Sequence, residues 1–122
     1  MSARIDGSNW TASAALAATL TNGILAVAGV DGSLRTIGFA VTATAPGTVT
    51  IGPTSAASGT LTEGSAGPTW QAVANLGSGT ITITSLTATT ASGSFSFNLV
   101  ANAASGATGS KIITNGSFDL RF

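Results

Sequence analysis

Histidine, cysteine and tyrosine are absent from this 122-residue chain, and Asp, Glu, Lys and Arg together make up only 7% of it. Without His and Cys there is no zinc or haem ligand set of the usual kind. The Ser-His-Asp and Cys-His catalytic arrangements are excluded as well. No disulfide can form, so stability has to come from packing and backbone pairing. The cations are Arg4, Arg35, Lys111 and Arg121, scattered along the chain and balanced by Asp6, Asp31, Glu63 and Asp119. Four dispersed cations cannot neutralise a run of phosphates, so nucleic acid is not an expected partner. Long apolar runs are missing too. The longest, Ile24 to Val30, is broken by Ala and Gly and is far shorter than a membrane helix. The opening Met-Ser-Ala-Arg-Ile-Asp-Gly has no apolar core of a signal peptide.

What is present is Ala, Gly, Ser and Thr, which fill more than half of the chain, and a 43% hydrophobic content that argues for a packed domain over disorder. The length suits one domain, spanning 1–122. With zero net charge such a domain tends to self-associate unless a partner or a hydrated surface prevents it.

Alternation with a period of two dominates. It runs through Thr48-Val49-Thr50-Ile51, Thr80-Ile81-Thr82-Ile83-Thr84, Ser94-Phe95-Ser96-Phe97-Asn98-Leu99 and Phe118-Asp119-Leu120-Arg121-Phe122. Such segments put one set of side chains on a core and the other in water, as half-buried antiparallel strands do. Asp6-Gly7, Asn22-Gly23, Asp31-Gly32 and Asn115-Gly116 are dipeptides that accept the positive φ of tight hairpin turns. Strands are predicted at 2–6, 9–20, 24–30, 34–44, 47–52, 69–75, 78–86, 92–101 and 110–122, the last split by a turn or bulge at Asn115-Gly116. The Ala-rich stretch 12–20 also fits a helix ended by Asn22-Gly23. Thr54 to Ala66 and Asn102 to Gly109 read as loops. The fold class is all-β: a single antiparallel β-sandwich or flattened β-barrel of about 8–10 strands by the turn spacing. The segments 93–99 and 116–122 echo each other as Gly-Ser-Phe followed by alternation, which reads as two strands built to one rule.

Several segments together resemble a family. Ile5-Asp6-Gly7-Ser8-Asn9-Trp10-Thr11-Ala12 resembles the opening strand pair of small bacterial lipoprotein-like domains of unknown function. Gly79-Thr80-Ile81-Thr82-Ile83-Thr84, Ala91-Ser92-Gly93-Ser94-Phe95-Ser96-Phe97 and Thr114-Asn115-Gly116-Ser117-Phe118 resemble their later strands, in the same order. The resemblance implies an exported β domain in the cell envelope or outside the cell, with no assigned activity. The leader and lipidation cysteine of that family do not occur in this sequence.

Each chemical candidate has a structural competitor. Asp6 and Asp31 sit where Asp serves a turn, and Asp119 neighbours Arg121 on an outward strand position, which leaves Glu63 alone in the 54–66 loop. That is too little for paired-carboxylate chemistry. Asp6 to Asn9 offers oxygens for calcium but reads as an ordinary turn. The rows Thr42/Thr44, Thr48/Thr50, Thr80/Thr82/Thr84 and Thr87/Thr89 reflect strand propensity, since an ice-binding array needs a fixed repeat. Phe118, Leu120 and Phe122 superficially match the last strand of an outer-membrane barrel, without its aromatic girdles. Trp70 follows Gly67-Pro68-Thr69 at a loop edge, where partial exposure would make it an anchor for a ligand, with Gln71, Glu63 and Asn75 as polar helpers. A core so poor in large residues also has use for both Trp10 and Trp70. The expected function is a non-catalytic binding module with loops 53–68 and 102–109 as its recognition surface. The alternative is a structural subunit, a homo-oligomer joined through β edges or neutral Thr/Ala-rich faces. No catalytic residue, cofactor or metal is expected; the ligand or protein partner is not specified, and the chain is not expected to span a membrane.

Overall fold

The computed structural model describes residues 1–52, 57–64, 67–73 and 76–122. Its strands are β1 (Ser2–Ile5), β2 (Ser8–Thr11), β3 (Ala15–Thr21), β4 (Ile24–Val30), β5 (Arg35–Thr42), β6 (Gly47–Ile51), β7 (Ser58–Glu63), β8 (Thr69–Val73), β9 (Ser78–Leu86), β10 (Thr90–Ala101) and β11 (Ser110–Arg121). A 3₁₀ turn, Ala103–Ser105, lies between β10 and β11. No helix among the described residues is long and apolar enough to cross a membrane. All strands join one antiparallel sheet in the order β2-β1-β11-β10-β8-β7-β5-β4-β3, with β9 and then β6 branching from β10. The sheet curls into a half-barrel.

Turn chemistry sets the hairpins. Asp6 and Gly7 have φ of 49° and 85°, and Asn22 and Gly23 have 53° and 77°, so both pairs form two-residue turns with positive φ at each centre. They join β1 to β2 and β3 to β4. The stretch 12–20 is strand from Ala15 onward. Its seven-residue ladder with β4 satisfies the backbone groups that a helix would satisfy internally. The other two dipeptides behave differently. In the β4–β5 connection the positive φ falls on Leu34, at 61°, and Asp31 holds the loop through its carboxylate. At Asn115-Gly116 there is no turn. Phe95 faces Gly116 and Phe97 faces Ile113, so β11 spends three steps where β10 spends two. This bulge inverts the alternation of β11 and keeps Ile113, Phe118 and Leu120 all on the buried side.

The expected loop 54–66 needs correction: it contains β7, which lies between β5 and β8 with Gly59 and Leu61 buried. Ser and Gly are weak strand markers and interrupt the pattern, but here Leu61 alternates with Thr60 and Thr62 and both neighbours supply ladder bonds.

The sheet forks at β10. Its free edge is shared by β9 along Ala91 to Asn98 and by β8 at Val100 and Ala101. Gly77 makes the changeover, with φ of 70° and room for no Cβ: one would lie 2.5 Å from the Asn98 carbonyl oxygen. Across the barrel, Phe39 of β5 meets Phe95 and Phe118 at centroid distances of 5.3 and 5.2 Å. Trp10 of β2 closes the open side. Its ring lies over Gly29 of β4, and its indole N–H donates to the Arg35 carbonyl at 3.0 Å.

Candidate functional site

The named site residues do not form one surface. In β8, Trp70 and Ala72 are buried and Gln71 lies on the opposite face. Glu63 ends β7 with the parity of the buried Leu61, so it faces inward at the mouth of the barrel. Lys111 has the parity of Ile113 and faces the same mouth. Its Nζ lies 4.9 Å from the centre of the Trp70 ring, 3.5 Å from Glu63 Oε1 and 3.7 Å from Asp6 Oδ2. The fold thus brings Glu63 and Trp70 together around a cation that sequence reading had not singled out. A lysine at an inward parity position of a strand was the available signal. Asn75 lies outside the described residues.

This cluster is engaged with itself. Trp70 is 6% exposed and presents no face to solvent, so the partial exposure expected at the loop edge is not found. Its indole N–H donates to the Thr108 carbonyl at 3.1 Å. Both carboxylates share the Lys111 ammonium, and the ammonium sits on the electron-rich indole face. Asp6 also accepts the Ile112 N–H at 2.8 Å, which ties the first hairpin to β11. Among the described residues no group of three or more His, Cys, Asp or Glu could hold a metal ion.

Loop 102–109 is stitched to β8. The Asn102 N–H donates to the Thr69 carbonyl at 2.9 Å, the Thr69 N–H donates to Ser105 Oγ at 2.8 Å, and the Ser105 hydroxyl donates to the Asn102 carbonyl at 2.6 Å. Ala107 is buried. The loop serves as the seat of Trp70.

A second charged group stands at the same mouth. Arg35 is directly opposite Glu63 in register, and its Nη2 contacts Asp31 Oδ2 at 2.8 Å. Asp31 also accepts the backbone N–H groups of Ser33 and Arg35, at 3.0 and 2.8 Å. Burial pushes its carboxyl up, but the Arg35 N–H and guanidinium and the Ser33 N–H outweigh that and hold it below its ordinary value of 3.8.

The sheet has two contrasting outer faces. On one, a single row of hydroxyl side chains crosses β2, β1, β11, β10, β9 and β6 in register: Thr11, Ser2, Ser117, Ser94, Thr82 and Thr48. Ser2 and Ser117 hydrogen-bond at 3.2 Å, Thr48 and Thr82 at 3.1 Å. Arg4, Asp119 and Arg121 share this face and enter no ion pair among the described residues. The opposite face, over β3, β4, β5 and β7, carries no charged residue. It alternates Ala17, Ala28, Gly38 and Thr60 in one row and Thr19, Ala26, Ala40 and Ser58 in the next. It ends at β3, whose outer edge has no partner strand among the described residues.

Comparison with protein families gives a match to a domain of unknown function, DUF6252, over residues 1–119. The chain belongs to the DUF6252 family. Neither the curated proteins nor the solved structures contain a match. The family carries no activity to assign, so the surfaces of this DUF6252 domain have to be read from their own chemistry. With the tryptophan cluster closed, the β3 edge is the largest unsatisfied feature among the described strands. Two other strands end the sheet, and both are less inviting. β2 has four residues, and β6 has five and follows Pro46. Short length and proline are the ordinary ways of blunting an edge. β3 has seven residues, pairs with β4 without a bulge, and contains no charge and no proline.

Proposed function

We propose that this domain is a non-catalytic interaction module of the cell envelope or extracellular space, and that its working element is the free edge of β3, which receives an extended strand from a partner. The single observation that carries the reading is the unguarded edge itself. Its outward backbone N–H and C=O groups are a template for strand addition. The flanking side chains agree with it: Leu16 and Ile24 are 43% and 49% exposed on the same hairpin. The envelope placement rests on the resemblance to lipoprotein-like domains, and the non-catalytic reading on the missing His and Cys and on the engagement of Asp6, Asp31 and Glu63.

Amide hydrogen exchange tests the reading. In dilute protein, the amides of residues 15–21 that point away from β4 should exchange freely. They should gain protection when an excess of a synthetic peptide, Ala-Leu-Ala-Ala-Thr-Leu-Thr, is added. Outward amides that are already protected, or that the peptide leaves unchanged, would overturn it.

A further inference from the structure

The chemistry of β3 also identifies its partner. Resting on the reading of β3 as the interacting edge, we propose that the strand it receives is β3 of a second copy, paired antiparallel about a two-fold axis at Ala18.

The argument starts from what such an axis demands. In an isologous strand pair each residue meets the one at the same distance on the other side of the axis, so a charge at or beside the axis would be brought close to its own copy. Neither β3 nor β4 contains a charged residue. Residues at equal distances on either side of the axis must also suit each other as cross-strand neighbours. About Ala18, Leu16 balances Leu20, Ala17 balances Thr19, and Ala15 balances Thr21. The faces match as well. Leu16, Ala18 and Leu20 lie opposite Gly29, Val27 and Leu25 of β4, and Val27 and Leu25 are buried, so these β3 residues line the core side. Ala15, Ala17, Thr19 and Thr21 line the outer side. Antiparallel pairing at Ala18 would set the half-exposed Leu16 of one copy against Leu20 of the other on the core side. Small side chains would pair outside. An arbitrary partner strand does not require β3 to be complementary to itself; a second copy does. The axis consumes β3 in both molecules and leaves, among the described strands, the short sheet ends β2 and β6, so the product is a closed dimer rather than a filament.

The absence of native cysteine makes the register directly testable. Ala17→Cys and Thr19→Cys are both at exposed outer positions of β3. In the proposed pairing residue 17 lies directly opposite residue 19 of the other copy, at about 4.5–5.5 Å between Cα atoms. That is inside the range a disulfide spans. The 17–17 and 19–19 pairs are displaced by two residues along the strand and fall outside it. Sedimentation velocity of the unmodified protein should show a dimer that dissociates on dilution and is indifferent to salt. Mild oxidation of mixed Ala17→Cys and Thr19→Cys proteins should give the mixed dimer several-fold in excess over either self-linked dimer. An Ala17→Lys/Thr19→Lys protein should sediment as a folded monomer.

Each other outcome is decisive. A monomer at every concentration that still gains protection from the synthetic strand would overturn the second copy and leave the edge reading standing. A monomer indifferent to the strand would overturn both. A dimer that survives the lysine substitutions, or that shows no preference for the mixed disulfide, would place the contact elsewhere and overturn the proposed axis.

Discussion

Phe95 of β10 lies directly opposite Gly116 of β11, and its ring occupies the space a side chain at 116 would need: a Cβ there would be 2.5 Å from Phe95 Cδ2. The relationship is reciprocal. Gly93 is opposite Phe118, and Ser94 opposite Ser117. The two Gly-Ser-Phe segments are therefore one antiparallel unit, with each ring covering the other strand's glycine and the paired serines facing out. Gly116→Ala should destabilise the fold by about 1–3 kcal/mol, because the Phe95 ring is held by Phe39 and Phe97 and cannot yield. Gly52→Ala, where no atom lies within 4 Å of the added carbon, should stay within about 0.5 kcal/mol. Urea midpoints of the two variants check the contrast.

Asp31 makes the stability pH-dependent. Its carboxyl is held below 3.8 in the folded state, so its contribution is complete above that value and is lost as the pH falls through the lower folded pKa. Asp31→Asn should cost about 1–3 kcal/mol at neutral pH, since the Arg35 guanidinium and two backbone N–H groups lose a charged acceptor. The variant should lose less stability on acidification than the parent. Denaturation at pH 7 and pH 3 measures both effects.

The tryptophans give an optical check. Trp10 and Trp70 are 2% and 6% exposed, so the emission should be blue-shifted and resistant to iodide. In a Trp10→Phe background, Lys111→Met should change the remaining Trp70 emission, since the cation on its face is gone. The stability change should be under about 1 kcal/mol, because Asp6 and Glu63 are half exposed and water replaces the ammonium.

Trp10 serves as a latch. Trp10→Phe removes the indole bond to the Arg35 carbonyl and part of the ring over Gly29. A loss of about 1–3 kcal/mol is expected. Hydrogen exchange should locate the loosening at β1, β2 and β4 ahead of β10 and β11, which pair along almost their whole length.

Much of this architecture is legible in local sequence. Period-two alternation marks β9, β10 and β11, and Asp6-Gly7 and Asn22-Gly23 mark the β1–β2 and β3–β4 hairpins, because both signals act within a few residues. β7 escaped notice for the opposite reason. Ser58 and Gly59 have little strand character, Thr60, Leu61 and Thr62 make too short an alternation to stand out, and the segment is a strand because β5 and β8 flank it. The same limit applies to the candidate site. That Trp70 is covered, that Glu63 and Asp6 meet on Lys111, and that β7 separates β5 from β8 are relations between residues far apart in the chain.

The all-β class, the lack of His and Cys side chains and so of thiol chemistry, and the absence of any charge on β3 and β4 follow from residue types and spacing alone, since each depends on which side chains exist and how often they recur. The fork at β10, the bulge that realigns β11, the closure by Trp10 and the vacancy beside β3 were decided by tertiary structure. They depend on which strand finds which neighbour, and strand pairing is a long-range choice that local alternation leaves open.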